Sequence, residues 1–493
     1  MKRKKLLQFA AFLAFGAFAM ASCDKHDSDE SPILSEADLP GHTLTTLAGS
    51  YYDNKYAQTE GITPFLVNSE ADAIQAVRTR KADVLVTDEI VLPEDLLKSM
   101  GLKRAFTGEE SFPCAMAFQK GDDILLPAFD EFLDIMKEDG SLEAHINFWL
   151  HGGEPAKYPE SGKEGKSSKP IRLITCLKTA PISFIKDNEW TGLEIELIRK
   201  FAAWNGSPLS ISDLPLTSAI IALQTGQADI IASNLFVTED RKKHMDFSQP
   251  YYVGHPAFFV LDENATSTGS SIGKLKDTFI QTFVTEKRWK LITDGLLVTL
   301  AITILAILLG TILGVIYCQM ALSRSKLLRD ITKVYNFIIQ GIPTLVLLLL
   351  MFYVVLAKTG LSAAAVSVIT FALGFAASSG NVLTSSISSI PKGQWEAGYA
   401  LGFTHGRTFL SIILPQALRK GIGAYEGHCI ALLKGTSIVG YIAVQDLTRA
   451  SDLLRSRTFE AFLPLIAITI IYFVIAWLFR LLLNLAITKK NYD

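Results

Sequence analysis

Residues 391–402 read Pro391-Lys-Gly-Gln-Trp-Glu-Ala-Gly-Tyr-Ala-Leu-Gly402; nine residues later comes Ile412-Ile413-Leu414-Pro415. Glu396, Ala397 and Gly398 stand three residues ahead of Gly402, and Ile412, Leu414 and Pro415 close the stretch. A polar segment of this length between strongly apolar ones is expected to fold as a short helical hairpin on one face of a membrane. Gly402 suits a tight bend between two helices, because it takes positive φ without steric cost. Pro415 is expected to end the helix that precedes it. The plainer alternative is an ordinary amphipathic loop.

Outward from this hairpin lie the apolar runs. Gly295–Tyr317 and Ala461–Phe479 are long enough to cross a bilayer. So is Ile338–Ala357, interrupted by Pro343, while Leu361 to about Leu383 is uncharged though Ser-rich. A fifth run, about Ile430–Val444, carries Lys434 and is counted because the topology requires it. With the N-terminal region outside, the inner segments carry Arg324, Lys326, Arg329 and Lys333, then Lys392, Arg407, Arg419 and Lys420, then Lys489 and Lys490. That asymmetry follows the positive-inside rule. Arg449, Arg455 and Arg457 in the last outer loop break it. They either face the soluble region or form a solvated helical face, and the second is the expectation adopted here.

Hydrophobic residues make up 49% of the 493 and charged residues 19%, which suits a chain part membrane-embedded and part soluble, with room for two or three domains. A net charge of −2 offers no nucleic-acid footprint. Five widely spaced cysteines imply neither a disulfide framework nor a zinc site, so no metal is expected. For Cys114 and Cys176, both in exported sequence, a disulfide is weighed against two buried thiols, and the thiols are preferred.

The chain opens Met1-Lys-Arg-Lys-Lys5, continues uncharged from Leu6 to Ala21, and reaches Ser22-Cys23. A basic head, an apolar run and small residues make a secretory signal. The ending Met20-Ala21-Ser22-Cys23 resembles a bacterial lipobox, which would lipidate Cys23; an uncleaved membrane anchor is the alternative. Residues 24–151 read as soluble α/β sequence, with strands at Thr43–Leu47 and Ala82–Thr87, a helix at Ala71–Arg80 and one longer helical segment at Leu125–Leu150. Residues 152–170 are a Gly-, Pro-, Lys- and Ser-rich linker. Within it, Gly165-Lys166-Ser167 lacks the earlier Gly of a Walker loop, since Glu160 stands there, and no strand feeds it. Residues 171–264 are a second α/β segment, with strands at Ile171–Thr175 and Ala228–Ser233 and a helix at Gly192–Trp204. Residues 265–291 read as a tether and 292–488 as the membrane domain.

The stretch from Pro391 to Pro415 resembles the EAA coupling loop of ABC importer permeases, E-A-A-x3-G-x9-I-x-L-P, by which a permease engages its ATPase. Only the second Ala differs, as Gly398. Residues 171–261 resemble the first half of the polar amino-acid binding proteins of ABC importers, through Gly192-Leu-Glu-Ile-Glu196, Ala222-Leu-Gln-Thr-Gly226, Asp229-Ile-Ile-Ala-Ser233, Thr238-Glu-Asp-Arg241 and Asp246-Phe-Ser-Gln-Pro-Tyr251. Residues 36–150 resemble the second half of the same family, through Asp38-Leu-Pro-Gly41, Leu47-Ala-Gly-Ser50, Ala82 to Glu89, Asp139-Gly-Ser141 and Trp149.

The family's second half therefore precedes its first. The resemblance implies an α/β two-lobed periplasmic binding protein of type II, circularly permuted, followed by an all-α membrane permease with about five transmembrane helices. Two half-domains left from a decayed tandem pair are the alternative to permutation. By the family's pattern Arg241 binds the ligand carboxylate, Asp88 the ammonium, and Gly49 and Ser50 supply donors from the other lobe, with Ser233 and Asn234 alongside. The usual covering aromatic appears here as Thr179. Asn234 replaces the usual Gly or Ser and Phe236 the usual Thr or Ser, which leaves specificity open. Gln340-Gly-Ile-Pro343 and Lys434-Gly-Thr-Ser437 match permease motifs, whereas the usual Tyr, Glu and Arg of the third span appear as Ser378, Asn381 and Thr384.

The function implied is the binding and permease subunit of an importer for polar amino acids in the bacterial inner membrane, with the binding domain on the periplasmic side. The chain would be no enzyme and hold no cofactor; ATP and Mg would sit on a partner ATPase. A second permease copy, membrane lipid and a free amino acid are the other implied partners. A sensor of amino acids and a ligand-gated channel are the alternatives. Val439-Gly440-Tyr441 echoes a potassium filter, but Ile442 stands where its last Gly belongs.

Overall fold

A computed structural model describes residues 33–56, 59–159, 169–186, 189–262, 276, 278–458 and 462–488. The expected lipidation at Cys23, the rejected phosphate loop and much of the tether lie outside these residues.

The α/β part has two lobes. Lobe A holds β1 (Thr43–Leu47), α1 (Tyr51–Tyr56), β2 (Thr63–Val67), α2 (Glu70–Arg78), β3 (Val84–Asp88), α3 (Glu94–Met100) and β4 (Leu102–Thr107). The chain then crosses through β5 (Phe112–Cys114) into lobe B, which holds β6 (Ala117–Phe118), α4 (Leu125–Glu138), α5 (Ser141–His151), β7 (Ile171–Thr175), β8 (Phe184–Lys186), β9 (Glu189–Thr191) and α6 (Leu193–Trp204). Lobe B continues with β10 (Leu209–Asp213), α7 (Leu216–Gln224), β11 (Ile230–Ala232), α8 (Glu239–Lys242) and β12 (Asp246–Phe247). A second crossing, β13 (Tyr252–Gly254), returns the chain to lobe A for β14 (Pro256–Leu261).

Each lobe is built on a five-stranded sheet, ordered β2-β1-β3-β14-β4 in lobe A and β10-β7-β11-β6-β12 in lobe B. In each, parallel pairing of the first strands gives way to an antiparallel strand brought in by a crossing: β14 against β3, and β6 against β11. Every residue of β3 is buried, as expected of a strand covered on both faces. The crossings β5 and β13 pair antiparallel, Tyr252 against Cys114, so the hinge is a short ladder of the two connecting strands. Cys114 lies in that hinge, Cys176 lies just after β7, and both are free.

The expected long segment Leu125–Leu150 is instead two helices. Gly140 takes φ +75 between them, and the turn lets both pack on α6, with Phe129 edge-on to Phe201 at 5.0 Å. The other strands and helices read in the α/β part agree with the structure to within two residues at their ends.

The C-terminal part is helical: α9 (Trp289–Ala321), α10 (Lys326–Gly341), α11 (Thr344–Leu350), α12 (Ala363–Ser388), α13 (Lys392–Ala400), α14 (His405–Thr408), α15 (Leu414–Gly435), α16 (Leu447–Thr458) and α17 (Phe462–Thr488). Among the described residues, three helices are long and apolar enough to cross a membrane, or up to five if each bent pair is one span. One bend, of 103°, falls at Ile342-Pro343, where the Pro ring blocks the helical path. Close packing of α9 on α12 depends on small residues: a Cβ at Gly380 would run into the Tyr317 ring, and one at Gly310 would meet the Ala372 carbonyl at 2.8 Å.

Two further expectations are corrected. Pro415 does not end the helix before it; residues Phe409–Ile413 wind as a π-helical turn that runs straight into α15, and Pro415 sits in that helix's first turn. A missing N–H is harmless at that point. The second correction concerns α16. Arg449 is 7% exposed and ion-pairs with Asp213, and Arg455 ion-pairs with Asp72, so this helix turns these two cations to the two lobes rather than to solvent. Two arginines on one helix are tolerated there because the lobes supply the carboxylates.

Candidate functional site

Between the lobes lies a cavity of about 60 Å³. Ser50, Asp88, Ser233, Asn234 and Arg241, five of the six residues named from the sequence for a ligand, line it. Gly49 stands beside it: Arg241 Nη2 donates to the Gly49 carbonyl oxygen at 3.2 Å, and Nη1 donates to that of Phe236 at 3.1 Å. Thr238 caps the short helix α8 through the Arg241 N–H, which frees the arginine side chain to reach across the cleft. Burial holds the Arg241 guanidinium below its usual range, as expected of a cation with backbone dipoles for partners.

Asp88 ends β3 and is 2% exposed. Its Oδ1 accepts from the Ile90 N–H at 3.1 Å, while Oδ2 has no hydrogen-bond partner. The hinge strand passes so close that a Cβ at Gly254 would collide with this carboxylate. Burial pushes the Asp88 carboxyl up to about 7.

The donors of lobe A are engaged within the lobe. Gly49, at φ +75, gives its N–H to Asp53 Oδ2 at 2.7 Å, and Ser50 Oγ accepts from the Asp53 N–H at 3.1 Å. In lobe B, Asn234 takes φ +47 and its N–H donates to Glu194 Oε1 at 2.6 Å. Tyr251 OH donates to the same oxygen at 2.5 Å. Glu194 thereby pins an unfavourable backbone turn that sets Asn234 beside Asp88.

Several lining residues, Tyr51, Tyr52 and Glu70 among them, escaped the sequence reading. Tyr51, Tyr52 and Phe236 form an aromatic wall, Phe236 stacked on Phe112 at 4.9 Å and edge-on to both tyrosines. Thr179, expected at the position of the covering aromatic, is buried away from the cavity lining. Glu70 begins α2 and also lines the cavity; Oε1 accepts from Thr87 Oγ1 at 3.2 Å and Oε2 has no hydrogen-bond partner. Burial pushes Glu70 and Glu194, like Asp88, up to about 7. The cavity thus has one cation toward one side, uncompensated carboxyls toward the other, and an aromatic surface, an arrangement suited to a small zwitterion. Among the described residues no group of three or more His, Cys, Asp or Glu could hold a metal ion.

The hairpin sequence forms a second site. Helix α13 is capped at Leu401, Gly402 takes φ +78, and the Phe403 N–H donates to the Gly398 carbonyl at 3.1 Å, a glycine-closed helix end. Gly398 is buried against α14: a Cβ there would stand 2.5 Å from Thr408 Cγ2. The departure at Gly398 is thus matched by a threonine occupying the methyl's place. Glu396, Ala397, Gly402 and Pro415 are exposed, and Ile412 and Leu414 are half-buried. Trp395 stacks on His405 at 5.0 Å, and Tyr399 OH and His405 Nδ1 are 2.8 Å apart, which ties α13 to α14. Deeper in the helices, Asn381 accepts from Tyr317 OH at 2.8 Å and donates to Asn336 Oδ1 at 2.6 Å, a neutral network where the permease family usually has a carboxylate.

Residues 171–420 match the family model described as bacterial extracellular solute-binding proteins, family 3. The matched range starts at β7 and runs on into the helical part. The L-cystine transport system permease protein TcyB of Bacillus subtilis is 36% identical over 200 residues, 40% of this chain and 86% of that protein. The arginine ABC transporter permease protein ArtQ of Haemophilus influenzae is 32% identical over 174 residues, 34% of this chain and 78% of its own length. A crystal structure of an amino acid ABC transporter with histidines is 32% identical, with a TM-score of 0.38, and covers 44% of this chain and 97% of that one.

Proposed function

The chain belongs to the bacterial extracellular solute-binding proteins, family 3, joined to a permease of the amino-acid ABC transporter kind, and we propose that one polypeptide both captures a polar amino acid and passes it through the membrane. The observation that carries this reading is that Arg241 and Asp88 line one cavity between two hinged lobes. Arg241 takes the carboxylate, exchanging two carbonyl contacts for a charge-assisted pair. Asp88 takes the ammonium, which supplies the counter-charge its free oxygen lacks. Gly49, Ser50, Ser233 and Asn234 complete the polar lining, and Tyr51, Tyr52 and Phe236 face the side chain.

The binding domain lies on the periplasmic side of the inner membrane, held by lipid at Cys23 and by the first span. Residues 1–23 are the signal, 24–151 and 171–264 the halves of the binding domain around the linker 152–170, and 265–291 the tether to the permease at 292–488. The order is a circular permutation. The family match beginning at residue 171 supports it, and so does the return of the last strand, β14, to the lobe formed first. The permease works as a homodimer with five spans per copy. A separate ATPase, which holds ATP and Mg, docks on Glu396, Ala397, Gly398, Gly402, Ile412, Leu414 and Pro415 and drives the change between inward- and outward-facing states.

Calorimetric titration of the twenty amino acids and cystine into the full-length chain in lipid nanodiscs tests this reading. Micromolar binding that Arg241→Ala abolishes is the expected result. Binding of none of them overturns the amino-acid assignment.

A further inference from the structure

The two lobes meet the helical part in different ways. Lobe B shares apolar clusters with it: Ile174, Leu214 and Leu235 belong to the same buried cluster as Ile302, Leu348 and Val439. Ile185 joins Leu291, Leu447 and Leu454 in another. Polar contacts reinforce this seat. Asp213 is fully buried between Lys178 Nζ, at 2.8 Å, and Arg449 of α16. Gln227 Nε2 donates to the Ala357 carbonyl at 3.0 Å.

Among the described residues, the apolar clusters that hold lobe A side chains, which they share with lobe B, contain none of the helical part. Lobe A reaches α16 through the ion pair between Asp72, in the first turn of α2, and Arg455, a pair that is mostly shielded on the arginine side. Arg455 also has an alternative partner on its own helix, Asp452, at 3.3 Å.

We propose that lobe B is the fixed seat of the binding domain on the permease, that lobe A is the moving lobe, and that Arg455 is the positioning residue that catches lobe A at Asp72 when the cleft shuts. The cleft is shut in this structure, with Arg241 bonded across it to Gly49. Rotation about the β5/β13 ladder carries Asp72 away with lobe A while Arg455 stays with the membrane helices and falls back on Asp452. Cleft closure is then felt where α16 begins. The Leu447 N–H donates to Thr299 Oγ1 of α9 at 3.0 Å, and a Cβ at Gly295 of α9 would stand 2.7 Å from the Asp446 carbonyl oxygen. Packing this tight transmits displacement rather than absorbing it. Only four residues, 443–446, separate α16 from the 3-10 turn Thr436–Ile442, so the signal enters close to the Lys434 to Ser437 motif. The mechanical claim stands apart from the identity of the cargo.

Electron–electron distance measurements on the full-length chain in nanodiscs, without added amino acid, test it. One label at Thr359 on the helical part is paired either with Glu60 of lobe A or with Glu138 of lobe B. The expected result is a narrow lobe B distance in every variant. The lobe A distribution shifts to longer distances in Arg455→Gln, stays near wild type in Arg455→Lys, and is restored in the charge swap Asp72→Arg with Arg455→Asp. An unchanged lobe A distribution in Arg455→Gln, failure of the swap to rescue, or equal broadening for both lobes overturns the proposal. Because no ligand is added, failure here is distinct from a failure to bind amino acids.

Discussion

Arg241 of lobe B donates to the carbonyl oxygen of Gly49 in lobe A at 3.2 Å, so the residue proposed for the ligand carboxylate also latches the two lobes together. A ligand must break that latch and replace it with something better. A carboxylate does so, because its two oxygens match the guanidinium fork.

Arg241→Lys is therefore a severe change at this position. Lysine keeps the charge but cannot make two parallel bonds. The loss expected is about 1.5–3 kcal/mol, the worth of a hydrogen bond to a charged group, or roughly 10- to 100-fold in Kd by calorimetry. An affinity within a factor of two of wild type would remove Arg241 from the carboxylate site.

The buried carboxyls set a pH dependence. Asp88, Glu70 and Glu194 are each pushed up to about 7 by burial, above their ordinary values. Between the ordinary carboxylate range and about 7 the folded protein binds more protons than the unfolded one, so stability falls as pH rises through this window. Binding runs the other way, since an ammonium requires ionised Asp88. Amino-acid affinity should fall as pH drops below about 7, by up to tenfold per unit, with proton release measurable by titration in buffers of different ionisation enthalpy. Asp88→Asn should abolish that release.

The hairpin makes a compensated pair of Gly398 and Thr408. Gly398→Ala restores the family's alanine but drives its methyl to 2.5 Å from Thr408 Cγ2. Overpacking of this kind costs about 1–3 kcal/mol. Uptake should drop while amino-acid binding stays at wild-type strength, and adding Thr408→Ala should restore uptake. Lost binding, or no rescue, would contradict the packing account.

Helix packing predicts a different failure for Gly380→Ala. Its methyl would run into the Tyr317 ring, and the α9–α12 contact has no slack there. The full chain should melt at lower temperature in nanodiscs and give less folded protein. An unchanged melting curve would show that the helices can part at that point.

What was legible in the sequence was local. Arg241 in a short helix, Asp88 at a strand end, and Ser50 and Asn234 in turns each belong to a short local motif, so each could be picked out without knowing the lobes. The aromatic wall could not, because Tyr51, Tyr52 and Phe236 come together only when two segments far apart in the chain close on each other. The arginines of α16 were misread for the same reason. A helix face rich in Arg looks solvated until carboxylates from elsewhere are known to cover it, and Asp72 lies 383 residues from Arg455. Pro415 was misjudged because a π-helical turn ahead of a proline has no sequence signal distinct from a helix stop.

The central claim is that capture and passage occur on one chain. Uptake of a labelled amino acid into proteoliposomes holding the full chain and its ATPase tests it most directly, with wild type, Arg241→Ala and a Glu396→Ala hairpin variant compared. The account predicts ATP-dependent uptake that both substitutions abolish, with amino-acid binding lost in the first and kept in the second. Uptake at wild-type rate in Arg241→Ala would contradict it, since the permease would then be fed by something other than its own binding domain.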